Sequence, residues 1–306
     1  VQHWDPAAIG LVVALPGFVS ILAQSPAGNL IDRTRHKRAL LVIASLVVAG
    51  SCLVVIDFPT VLPVAAAQVA MGLIGPVFQP CVSAMSLGLV GPERMRARVG
   101  RNESFNHLGN MLAAVVAVLI GSYVSFEGIF YFALLQCAAL IAATLLIDPA
   151  EIDHERARAA PPAGQAPGSF WHDARALLRD RDIAAFIVAL TLWNLANGAM
   201  LPMLGQKLGI DAPADAAYYL SLCIIVAQAT MVAVAPWAAR KAATGRKRVL
   251  LLSFLLIPVR ALLFASVDHK YALVALQVID GIGAGIYGVL GIVMMSDLAR
   301  GTGRFN

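Results

Sequence analysis

The sequence predicts an all-α membrane protein of about nine transmembrane helices. Three observations carry that prediction. The first is a set of long apolar stretches, at about 7–26, 39–57, 61–88, 103–125, 128–147, 183–204, 216–238, 249–267 and 271–297. Each approaches the roughly 20 residues that a helix needs to cross a hydrocarbon core. The second is composition: the chain is 59% hydrophobic and only 13% charged, about half the charge of a soluble domain. The third is where the 23 Lys and Arg residues fall. All but three lie in alternate gaps or after the last stretch.

Taken in order, the basic gaps hold Arg33, Arg35, Lys37 and Arg38; then Arg94, Arg96, Arg98 and Arg101; then Arg156, Arg158, Arg175, Arg179 and Arg181; then Arg240, Lys241, Arg246, Lys247 and Arg248. Arg300 and Arg304 follow the last stretch. The intervening gaps hold only Lys207 and Lys270, and Arg260 alone lies inside a span. Lys and Arg stay on the cytoplasmic side during insertion. This places loops 27–38, 91–102, 148–182 and 239–248 in the cytoplasm and makes the chain a multi-pass protein of the cell (inner) membrane. The net charge of +5 flanks spans instead of forming one stripe, so no nucleic-acid partner is expected. Cys52, Cys81, Cys137 and Cys223 lie within spans, so neither a disulfide framework nor a metal site is implied.

The chain also contains a repeat. Residues 26–41, PAGNLIDRTRHKRALL, align with residues 236–251, PWAARKAATGRKRVLL. Pro26 meets Pro236, Thr34 meets Thr244, Lys37 meets Lys247 and Arg38 meets Arg248. Gln68-Val69-x-x-Gly72 then matches Gln277-Val278-x-x-Gly281 at nearly the same offset. Both copies enter from the same side, which is the relation between parallel halves of a two-bundle transporter.

The first basic gap reads Gly28-Asn29-Leu30-Ile31-Asp32-Arg33-Thr34-Arg35-His36-Lys37-Arg38. It resembles the loop signature of the major facilitator superfamily, Gly-x-Leu-x-Asp-Arg-x-Gly-Arg-Arg. Gly28, Leu30, Asp32, Arg33 and Lys37 fit; Arg35 stands where the second glycine is usual. The resemblance extends over the whole chain. It implies two pseudo-symmetric helical bundles, with the nine spans as helices two to ten of an expected twelve. It further implies a secondary transporter that moves a small molecule by alternating access, with ion or proton coupling, as a monomer and without a cofactor. Asp32 and Arg33 would then latch the halves on the cytoplasmic side, while Lys37 and Arg38 read more simply as topogenic charges. The alternative on the same fold is a non-transporting assembly or chaperone protein. No His-Glu-x-x-His helix, Gly-x-Ser-x-Gly elbow or Walker loop argues for an enzyme.

The domain boundary is expected in the cytoplasmic linker, residues 148–182. The N-terminal half would then be residues 1–147 (helices two to six) and the C-terminal half 183–306 (helices seven to ten). Residues 157–168 are rich in Ala, Pro and Gly and suit a linker. Residues 169–182 place Phe170, Trp171, Ala174, Leu177 and Leu178 on one face, as an interfacial helix would.

Polar residues inside spans are the remaining signal, because burying them in lipid is costly. Glu103, Asn106, His107 and Asn110 share one helical face at i, i+3, i+4 and i+7. They read as a wall of an aqueous path or as interhelical hydrogen bonds. Glu103, with Arg101 just before it, sits near the interface as a candidate inner gate. Trp193, Asn194 and Asn197 line one span as candidate substrate contacts. Gln68 is a further cavity candidate; many proton-linked relatives carry Arg there, and Gln68 holds no charge. Asp280 lies roughly 15 Å below the outer end of its helix and Arg260 roughly 10 Å below its own. These depths suit either a structural Arg260–Asp280 ion pair or an Asp280 that exchanges its proton during transport.

Overall fold

The computed structural model describes residues 4–157, 181–209 and 213–298. Their regular structure is helical throughout: α1 (Pro6–Arg33), α2 (Lys37–Asp57), α3 (Val61–Ile74), α4 (Phe78–Tyr123), α5 (Phe126–Leu145), α6 (His154–Ala157), α7 (Arg181–Gly198), α8 (Met200–Gly209), α9 (Pro213–Ser266), α10 (Lys270–Ala275) and α11 (Gln277–Leu298). Among the described residues, seven helical stretches are long and apolar enough to cross a membrane. Two of these are double. Helix α4 breaks at Gly91 and α9 at Gly245, where the backbone leaves the helical region. Counted with α3 running into the first rod of α4, nine helical rods result among the described residues, as the apolar stretches predict.

The breaks have local causes. Gly91 adopts φ 73° and ψ 169°, a conformation open to glycine and strained for other residues. Pro92 follows it, and a proline disfavours helical backbone at the residue before. Between α7 and α8, Pro202 cannot accept a helix running through residue 198, whose carbonyl its ring would meet. The helix stops at Gly198 and a new one starts at Met200.

One expectation needs correction. The basic gaps are mostly helix, not loop. Helix α1 runs on to Arg33, so Gly28, Asp32 and Arg33 occupy its last turns, and only residues 34–36 separate it from α2. Arg94, Arg96, Arg98 and Arg101 lie in the second rod of α4, and Arg240 and Lys241 end the first rod of α9. Apolarity decides where a helix can enter lipid, not where it ends. Ala, Leu and Arg propagate a helix well outside it. Of the expected linker, residues 158–180 lie outside the described residues, and with them nearly all of the amphipathic helix read at 169–182. Arg300 and Arg304 lie outside them too.

The described residues form two compact units. The first comprises residues up to Pro92 together with those from Val116 to the end of α6. The second comprises Glu93–Val115 together with the described residues from 181 onward. In the first unit, α1 packs on α3, and α2 packs on α3 and α5. Arg38 donates to the carbonyls of Thr144 and Leu145, at 3.2 and 2.8 Å, and so caps the C-terminus of α5. In the second unit, α9 packs along α11, and Arg246 pairs with Asp297 across them.

The sequence repeat has the same packing role in both units. A Cβ at Gly72 would lie 2.8 Å from the carbonyl oxygen of Pro16 on α1. A Cβ at Gly281 would lie 2.6 Å from that of Ala227 on α9. Both glycines therefore mark a close backbone crossing. Hydroxyl residues at matching places attend each: Ser20 Oγ donates to Gly72 O at 3.0 Å, and Thr230 lies against Gly281.

Candidate functional site

The second unit gathers most of the polar residues singled out inside spans. Arg260, on the second rod of α9, has a side chain only 4% exposed and forms an ion pair with Asp280 of α11. Its Nη2 donates to Asn197 Oδ1 of α7 at 2.6 Å. Its Nε and Nη2 also face Met200 Sδ, at 3.0 and 2.6 Å, and the guanidinium carbon stands 5.6 Å from the centroid of Phe264. A buried guanidinium is tolerable only when its donors are met. Two helices, α7 and α11, and the start of α8 meet them here. The fork geometry of Arg suits a carboxylate partner, natural or incoming.

Next to this pair lies a void of about 10 Å³, also lined by Trp193 and Ser253. That is room for about one water molecule. Trp193 is 5% exposed and stacks on Tyr287, with centroids 3.8 Å apart and planes 7° from parallel. Its indole N–H is buried and has no acceptor among the described residues. Asn194 Nδ2 donates to the Tyr287 hydroxyl at 2.5 Å and to Leu190 O at 2.9 Å. One wall thus combines a charge pair, an aromatic face, an amide and an unused N–H donor. Such groups can bind a polar small molecule in an otherwise apolar setting.

The stripe on the second rod of α4 is divided. Glu103 is buried. His107 is half-buried, with Nδ1 2.8 Å from Gln228 Oε1. Where that oxygen accepts, Nδ1 is the donor. Nε2 stands 3.9 Å from Glu103 Oε2. Asn106 reaches Glu103 at a long 3.4 Å but is exposed, as are Asn110 and Arg101.

The signature residues and Gln68 belong to the first unit. Gly28 and Asp32 are buried, Arg33 is exposed, and Gln68 is half-buried on α3. Lys37 is 1% exposed and its ammonium donates to Thr34 O at 2.7 Å. Together with the cap that Arg38 makes on α5, this gives both cations a packing role beyond a topogenic charge.

Sequence reading missed Tyr287, Met200 and Gln228. Tyr287 had a signal, since it lies seven residues beyond Asp280 and so on the same helical face. Gln228 is a lone amide in an apolar span, which was a weaker one. Met200 had none, because a thioether reads as core.

The model of the Major Facilitator Superfamily matches residues 1–306. Two proteins of Mycobacterium tuberculosis, from strains CDC 1551 / Oshkosh and ATCC 25618 / H37Rv, are each described as an uncharacterized MFS-type transporter. Each is 37% identical to this chain over 309 residues, covering 100% of it and 73% of the relative. Among solved structures, the human organic anion transporter MFSD10 (TETRAN) aligns with a TM-score of 0.63 and 18% identity. That alignment covers 97% of this chain and 76% of the transporter. The nucleoside transporter NupG aligns with a TM-score of 0.56 and 17% identity, over 99% of this chain and 80% of its own. At those identities the two structures speak to the fold.

Proposed function

Since this chain belongs to the Major Facilitator Superfamily, whose members are multi-pass membrane transporters, we propose that it carries a polar small molecule across the cytoplasmic membrane. It does so as a monomer, by alternating access between its two halves, and with ion or proton coupling. One observation carries the reading: Arg260, Asp280 and Asn197 meet beside the stacked Trp193 and Tyr287. A bundle that served assembly alone would be as stable with apolar residues there, since a buried ion pair rarely outperforms them. Polar groups that can exchange partners are what a passing solute needs.

Transport is tested by reconstitution. A thermal-shift screen selects a stabilising compound, which is then offered to proteoliposomes holding a pH gradient. Accumulation is expected, and it should collapse when a protonophore removes the gradient. Binding without flux in either direction would sink the transport reading. Flux indifferent to every ion gradient would sink the coupling.

Orientation is tested separately. With Cys52, Cys81, Cys137 and Cys223 replaced, Lys270→Cys should react with an impermeant thiol reagent added outside, and Gln165→Cys should not. The reverse pattern would invert the proposed topology.

A further inference from the structure

At the arginine-rich end of the second unit is a cavity that the transport reading leaves without a role. It measures about 530 Å³, and Arg96, Arg101 and Glu93 of α4 face it together with Arg240 of α9. Three guanidiniums against one carboxylate leave the lining net positive. Among the described residues, Arg96 and Arg240 make no hydrogen bond or ion pair. Arg101 makes only a cation–π contact, 5.8 Å from the centroid of Phe105. The rest of the wall is largely apolar, with Phe105 and Ala239 prominent in it.

We propose that this cavity binds the headgroup of an anionic phospholipid. Unpartnered guanidiniums present forked donors that match phosphate oxygens two at a time. The volume falls within the roughly 300–1,000 Å³ of small-molecule sites, so a headgroup fits. The apolar wall suits the glycerol backbone and the first acyl carbons, which a free phosphate does not have. Basic pockets between membrane helices are where anionic headgroups lodge. Because Arg96 and Arg101 stand on one helix and Arg240 on another, a bound phosphate would tie the second rod of α4 to the first rod of α9. The site does not depend on which solute is carried or in which direction.

Native mass spectrometry of the purified protein tests the proposal, with phosphatidylglycerol, phosphatidylcholine and inorganic phosphate as probes. One phosphatidylglycerol should stay bound under activation that strips phosphatidylcholine. Arg96→Gln with Arg240→Gln should weaken it on the order of tenfold or more, as the loss of charge-assisted contacts implies. Ala243→Trp puts an indole into the cavity without changing charge and should weaken binding of the same lipid; its folding is checked by its elution profile. Arg248→Gln, outside the cavity, should leave binding intact. Retention of the lipid in both cavity variants overturns the proposal. An equal loss in Arg248→Gln overturns it as general surface charge. Competition by inorganic phosphate as strong as that by lipid overturns it in favour of a soluble anion.

Discussion

Asp280→Asn should sharply lower the yield of folded protein, and more than Arg260→Met does. The two side chains form an ion pair in which Arg260 is the more deeply buried, at 4% against 18% exposed. Removing one partner of a buried pair costs about 3–5 kcal/mol, because the other charge is left without compensation. The two single changes are not equivalent. A carboxyl left alone can take up a proton, whereas a guanidinium cannot shed one. With Asp280 neutralised, Arg260 keeps Asn197, Met200 and the face of Phe264, and none of them carries charge. The double variant Arg260→Met/Asp280→Asn should recover part of the loss. Fluorescence-detected size exclusion and the thermal midpoint in detergent measure all three. If Asp280→Asn folds as well as the unsubstituted protein, binds substrate and loses only pH-driven accumulation, Asp280 is a coupling residue and the structural pair is ruled out.

Gly281→Ala should destabilise the second unit, while Gly291→Ala, on the same helix, should not. A Cβ on Gly281 would lie 2.5 Å from Thr230 Cβ and 2.6 Å from the backbone oxygen of Ala227. Neither is the end of a flexible chain, so α9 and α11 must separate. Overpacking of this kind costs about 1–3 kcal/mol, and Gly281→Leu should exceed that range. At Gly291 nothing lies within 4 Å of the added carbon. There the change should be neutral or should stabilise by up to about 1 kcal/mol through helix propensity. Gly72→Ala should follow Gly281→Ala, since Gly72 crosses Pro16 as closely as Gly281 crosses Ala227. Equal thermal midpoints for Gly281→Ala and Gly291→Ala would show that the crossing tolerates a methyl group.

These two results separate what composition shows from what contact shows. Gly281 and Gly291 look alike in sequence, as small residues on a span that also holds Gly283, Gly285 and Gly288. Their difference is the presence or absence of a neighbouring backbone. Similarly, Asn106, Asn110, Asn194 and Asn197 are all amides in membrane helices. Asn197 meets Arg260 and Asn194 meets Tyr287, whereas Asn110 has no hydrogen-bond partner among the described residues. Helical periodicity places a residue on a face but does not name the helix opposite.

Some properties are additive along the chain and can be read without coordinates. Span length follows from counting apolar residues against the bilayer thickness, and the expected orientation from where Lys and Arg collect. The repeat follows from matched polar positions, and it reappears as matched close crossings at Gly72 and Gly281. Other properties depend on residues far apart in the chain. Lys37 and Arg38 read as loop charges until Thr34 and the end of α5 are seen to accept from them. The helical continuation of α1 through Arg33 is hidden because hydropathy marks the membrane edge, not the last hydrogen bond of the helix. The pairing of Arg260 with Asp280, the stacking of Trp193 on Tyr287 and the link from His107 to Gln228 arise from helix packing. Packing selects partners by shape and by the cost of leaving a buried donor unmet, and neither quantity belongs to any one segment.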